Sequence, residues 1–175
     1  MPSETIKYKF VVISCNLHLT GGHYISVIRT FHRPRDVVQF CIKLKEESKK
    51  VGELDHRTFR QAEREYSLWF LSEITNEISP NIKNVDELFT MLRSLGSRPL
   101  SITQFKTTYA KYEEKIGLKA DEVLKYLYEL AIIYNINDKG EVFSSIRNGR
   151  SRLNPDIKIC LHPGFWKGLY VSTFQ

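Results

Sequence analysis

Five side chains in the first quarter of the chain, Cys15, His18, His23, His32 and Cys41, are of the types that ligate zinc. Their spacings fit no compact finger, where ligands arrive as closely spaced pairs on a single turn. The segment reads instead as strand, turn and helix start, and no metal site is expected. His162 lies in a proline-flanked turn with no nucleophile pattern around it. The chain has no Gly-x-Ser-x-Gly, His-Glu-x-x-His or Cys-x-x-Cys, the contiguous signatures of acyl transfer, zinc hydrolysis and dithiol redox chemistry. It also has no Gly-x-x-x-x-Gly-Lys-Ser/Thr loop, so no backbone cradle for nucleotide phosphates, and no cofactor is expected. Catalytic triads can be assembled from remote residues, so missing motifs only weigh against catalysis. The expectation is a non-enzyme with no catalytic residue of its own.

The chemistry that remains is charge. The 175 residues carry 26 Lys and Arg against 20 Asp and Glu, a formal net charge of +6. Residues 1–79 hold 12 basic and 10 acidic side chains, and residues 80–175 hold 14 and 10. Between 139 and 167 stand Lys139, Arg147, Arg150, Arg152, Lys158 and Lys167, opposed only by Glu141 and Asp156. A hairpin followed by a Gly/Ser/Asn loop can present Arg147, Arg150, Arg152 and Lys158 together to a phosphate backbone, DNA or RNA. A merely solubilising surface is the competing reading of the same residues.

Three widely spaced cysteines, Cys15, Cys41 and Cys160, make no disulfide framework and suit a reducing cytosol. Val12-Ile13-Ser14-Cys15 looks like a lipoprotein cleavage box, but its apolar stretch at 10–14 is too short for a signal core. No apolar run approaches the roughly 20 residues that span a bilayer. A cytoplasmic protein with no membrane partner is expected.

The elements that must position these groups follow from period and punctuation. Residues 6–14 are β-rich and read as extended, and Thr20-Gly21-Gly22 as a turn. A helix starts at Pro34 or Arg35, with Asp36 well placed against its dipole and a stripe of Val37, Phe40, Cys41 and Leu44. Asp55 caps the longest helix, about 57–78, whose core face is Phe59, Ala62, Tyr66, Trp69, Phe70, Ile74 and Ile78. Arg57, Arg60, Glu63, Arg64, Glu73 and Glu77 occupy much of its remaining surface. Pro80 ends it, dividing an N-terminal unit (1–79) of extended segment plus helices from a C-terminal unit (80–175).

Asn84-Val85-Asp86-Glu87 and Ser101-Ile102-Thr103-Gln104 read as capping boxes, opening helices that run to Gly96 and to Gly117. A third helix has Val123, Leu124, Leu127, Leu130 and Ala131 as its core face. Residues 132–136 and 141–146 around Asn137-Asp138-Lys139-Gly140 make a hairpin, followed by a strand at 157–161 and a short helix after Pro163. The fold class is mainly α with a small β-hairpin or wing (α+β). Three helices followed by a hairpin is winged-helix order.

Two segments carry a resemblance. Arg29-Thr30-Phe31-His32-Arg33-Pro34-Arg35-Asp36-Val37-Val38-Gln39-Phe40 resembles the lid-helix start of bacterial P-loop ATPases of the KAP/STAND and AAA-like group. Ile159-Cys160-Leu161-His162-Pro163-Gly164-Phe165-Trp166-Lys167-Gly168-Leu169 is similar to the ending of phage- and defence-associated members of that group. The likeness spans about residues 24–171 and implies a lid-like helical segment followed by a winged helix, without the nucleotide-binding core. It implies that Arg35 acts as a nucleotide sensor, here only in trans on a P-loop partner; a helix-start salt bridge is the alternative.

The third helix separates the binding readings. Its polar positions are Lys119, Asp121, Glu122, Lys125 and Glu129, two positive and three negative. A helix in the major groove must pass two rows of phosphates, and an acidic start is repelled there. The expected function is therefore a non-catalytic interaction module that docks a protein partner and touches nucleic acid non-specifically. The alternatives are a self-sufficient nucleic-acid-binding winged helix and a truncated ATPase fragment.

Overall fold

A computed structural model of the chain describes residues 34–52, 55–145 and 152–171. The extended segment and turn expected before residue 33 lie outside them. The described part is mostly helical with a small antiparallel sheet, the α+β class expected.

Helices α1 (Pro34–Val51) and α2 (His56–Ile78) run antiparallel against each other. Arg35 meets Glu73 at one end of the pair, and the Phe40 and Tyr66 rings pack edge to face, centroids 5.7 Å apart, further along. Asp55 caps α2 by accepting from the Thr58 backbone N–H at 2.8 Å and its hydroxyl at 2.9 Å. Five of the seven apolar positions expected on this helix's core face are buried, and the other two, Phe59 and Trp69, are half-buried. On α1 the stripe is rotated from expectation. Asp36, Leu44 and Glu47 are buried and Phe40 half-buried, whereas Val38, Cys41 and Ile42 face outward.

Four helical segments then wrap a core. Asn84 caps α3 (Val85–Leu95), which stops at Gly96. Ser101 and Gln104 cap each other's backbone at the start of α4 (Ile102–Tyr109). The single helix expected from 102 to 116 is broken. At Lys111 and Tyr112 the backbone bonds tighten to i→i−3, ending α4, and a short α5 (Glu113–Ile116) follows. Gly117, at φ 85°, supplies the left-handed residue that turns the chain into α6 (Ala120–Glu129).

The sheet comprises β1 (Ile133–Ile136), β2 (Val142–Phe143) and β3 (Lys158–Leu161) in the order β2-β1-β3. Asn135 pairs with Phe143 on one side and Ile159 on the other. Leu100, between α3 and α4, bonds Ile159 through two backbone hydrogen bonds of 2.9 Å and adds one bridge at the far edge of β3. The segment after Pro163 forms a 3-10 turn. One buried cluster runs from Tyr66, Phe70, Ile74 and Ile78 of α2 through Leu88, Phe105 and Leu127 to Ile159 and Phe165. Residues on both sides of Pro80 therefore share a core.

Candidate interaction surface

The hairpin turn is built by one side chain. Asn137 Oδ1 accepts from the backbone N–H groups of Lys139 and Glu141, and its amide donates to the Glu141 carboxylate at 2.6 Å. The strand behind it is anchored by Asn135, fully buried. Its Oδ1 accepts from the Asn154 N–H at 2.9 Å and its amide donates to the Asn154 carbonyl at 3.0 Å, pinning the returning loop onto β1.

Of the four basic residues expected on this hairpin and the loop after it, Arg147 and Arg150 lie outside the described residues. Arg152 is exposed. Lys158 is exposed too, but it pairs with Asp138 at 3.1 Å. Asp138 stands one residue before the window in which the basic excess was counted, and with Glu141 it makes the turn itself acidic on balance. The geometry thus brings Lys158 to a carboxylate.

The α6 surface is also acidic. Asp121, Glu122 and Glu129 are exposed. Lys125 is shared with Glu129 at 3.8 Å, and Lys106 of α4 with Asp121 at 2.6 Å. These are surface pairs that contribute little to stability, but they consume positive charge where a phosphate would have to approach.

Arg35 sits in the first turn of α1 with its guanidinium 3.1 Å from Glu73 and 5.7 Å from the Trp69 ring centroid. The salt bridge expected at the helix start is present. Of the zinc-type residues, Cys15, His18, His23 and His32 lie outside the described residues, and Cys41 is exposed. Among the described residues no group of three or more His, Cys, Asp or Glu side chains could hold a metal ion. Cys160 is buried against Tyr134, and loss of solvent pushes both the thiol and the phenol above their ordinary ranges.

The tail does work that its sequence did not disclose. His162 Nδ1 accepts from the Gly164 N–H at 3.1 Å, holding the 3-10 turn, and Phe165 packs on Phe70 at 4.9 Å. Ser67 of α2 donates to the Gly164 carbonyl and accepts from the Gly168 N–H at 2.8 Å. Arg93 of α3 donates to the Leu169 carbonyl at 2.7 Å. This fastening delivers Tyr170, 65% exposed, to the side of α2, where Arg64 lies 5.9 Å from its ring centroid. Arg57, Arg60 and Arg64 are all exposed on that helix. Their three- and four-residue spacing was legible in the sequence, while the approach of Tyr170 was not.

No helix among the described residues is long and apolar enough to cross a membrane. Residues 13–75 match the model of a FunZ-associated C-terminal helical domain, a stretch that covers α1 and most of α2. No curated protein and no solved structure matches the chain.

Proposed function

We propose that this chain is a non-catalytic interaction module, a winged-helix unit carried on the α1–α2 arm, that attaches to a larger protein and contacts nucleic acid without reading its sequence. The observation that carries this reading is the acidic surface of α6. In a winged helix the third helix is the element that enters the major groove, and base readout there requires Arg, Lys, Asn or Gln side chains. Asp121, Glu122 and Glu129 oppose that approach. The order of α3, the broken α4–α5 pair, α6, β1, the Asn137 turn and β3, with Leu100 bridging Ile159, supports the winged-helix description.

The match of residues 13–75 to a domain described as C-terminal and FunZ-associated supports assigning the attachment to the arm. The kinship to KAP/STAND-like ATPases and a role in phage defence rest on the two short motifs alone. Arg35 is read here as fastening α1 to α2 through Glu73 and Trp69, since a role on a partner's nucleotide would require it to leave both.

Selection from a randomised duplex pool tests the reading. The full chain is expected to enrich no consensus. A reproducible consensus lost on substituting Lys125 would instead make α6 a recognition helix.

A further inference from the structure

The conformation of Tyr170 is costly, and nothing in the core explains it. The tail turn closes with Val171 N–H donating to the Trp166 carbonyl at 2.9 Å and Tyr170 N–H to Lys167 at 3.2 Å, the bonding of a Schellman cap with Tyr170 at its left-handed position. Its φ is 55°. Glycine is the residue that adopts this conformation without strain, and a bulky side chain there is an outlier. The same cap ends α6, with Ala131 at φ 55°, but Ala131 is buried in the core. Tyr170 is 65% exposed between buried Leu169 and Val171. Strain held in an exposed aromatic is the pattern of a contact residue.

Its neighbours share that pattern. Arg57, Arg60 and Arg64 stand on one face of α2, spread over about 10 Å of helix axis. Among the described residues none of the three forms an ion pair, and Glu63 and Glu65 of the same stretch are half-buried. A row of exposed guanidinium groups ending in an exposed ring combines backbone tracking with a stacking platform. Stacking on a tyrosine needs an unpaired base, which a duplex does not offer. We propose that the face formed by Arg57, Arg60, Arg64 and Tyr170 binds single-stranded nucleic acid. The inference rests on the nucleic-acid half of the reading above and moves that contact from the wing to α2.

The test titrates the full chain against a fluorescent random-sequence single strand at several salt concentrations. Three phosphates on a single strand give a slope of log K against log salt near −2, from about −0.7 per contact. Replacing Arg57, Arg60 and Arg64 with Gln is expected to flatten that slope by about 2 units. Tyr170→Gly is expected to weaken binding about 10-fold without lowering the thermal midpoint, because Gly relieves the left-handed strain while removing the ring. A structural role for Tyr170 would move the midpoint down instead.

Binding untouched by the triple substitution but lost on replacing Arg152 and Lys158 with Gln overturns this inference and leaves the proposed function standing. No binding at the lowest salt overturns both. Polyglutamate bound as tightly as the oligonucleotide, indifferent to Tyr170→Gly, would make the face a site for an acidic protein.

Discussion

Gly168 has no room for a side chain. A Cβ there would lie 2.5 Å from Leu71 Cδ1 and 2.9 Å from the Ser67 carbonyl, and the backbone carbonyl cannot retreat without opening α2. Gly168→Ala is expected to destabilise the chain by about 1–3 kcal/mol, read from denaturant unfolding. A loss below about 0.5 kcal/mol would mean that the tail shifts freely on α2. Asp55 supplies a prediction in pH. Its hydrogen bonds to Thr58 hold its carboxyl below the usual carboxylate range. A carboxyl lower in the folded than in the unfolded chain contributes stability above its unfolded pKa and loses it as pH falls through the folded value. Asparagine caps equally well but does not titrate. Asp55→Asn should therefore lose less of its thermal midpoint on acidification than the unsubstituted chain, and parallel curves would refute the cap's role. Asp55 was readable from sequence because capping is local. Gly168 was visible only as part of a motif, since its function depends on a residue 101 positions away.

At the scale of elements, packing decides what the caps propose. Phe105 of α4 and Leu127 of α6 are fully buried in the shared cluster. Phe105→Ala and Leu127→Ala should each cost about 2–5 kcal/mol by denaturant unfolding, and a smaller loss would mean that the cavity collapses or the site is looser than described. The starts of α2, α3 and α4 were legible because Asp55, Asn84 and Ser101 act within three residues of themselves. The hairpin was legible from Asn137 and Gly140 for the same reason. Three features were not. The break between α4 and α5 falls in a stretch whose apolar spacing continues helically, and only the hydrogen bonds at Lys111 and Tyr112 show it. The Leu100–Ile159 bridge joins residues 59 positions apart, and a single residue in extended pairing leaves no period to read. The outward turn of Cys41 is a third case, for an amphipathic stripe is defined only to within its neighbours until a partner helix selects the face.

For the whole molecule, the two halves around Pro80 meet in one core and are locked by Ser67, Arg93 and the 162–169 tail. The sequence placed the basic excess in the last third of the chain. The structure reorders it, because Lys158 is met by Asp138 while the arginines on α2 stay free of ion pairs among the described residues. Charge counted along a chain misses carboxylates that approach in space, and this is why the candidate surface moved. If the contact face lies on α2 and α6 is inert, amide hydrogen exchange of the full chain with and without a saturating random-sequence single strand separates the two helices. Added protection is expected in the first half of α2 and around Tyr170, with α6 unchanged. Protection confined to α6 and the hairpin, with α2 unaffected, would contradict that placement.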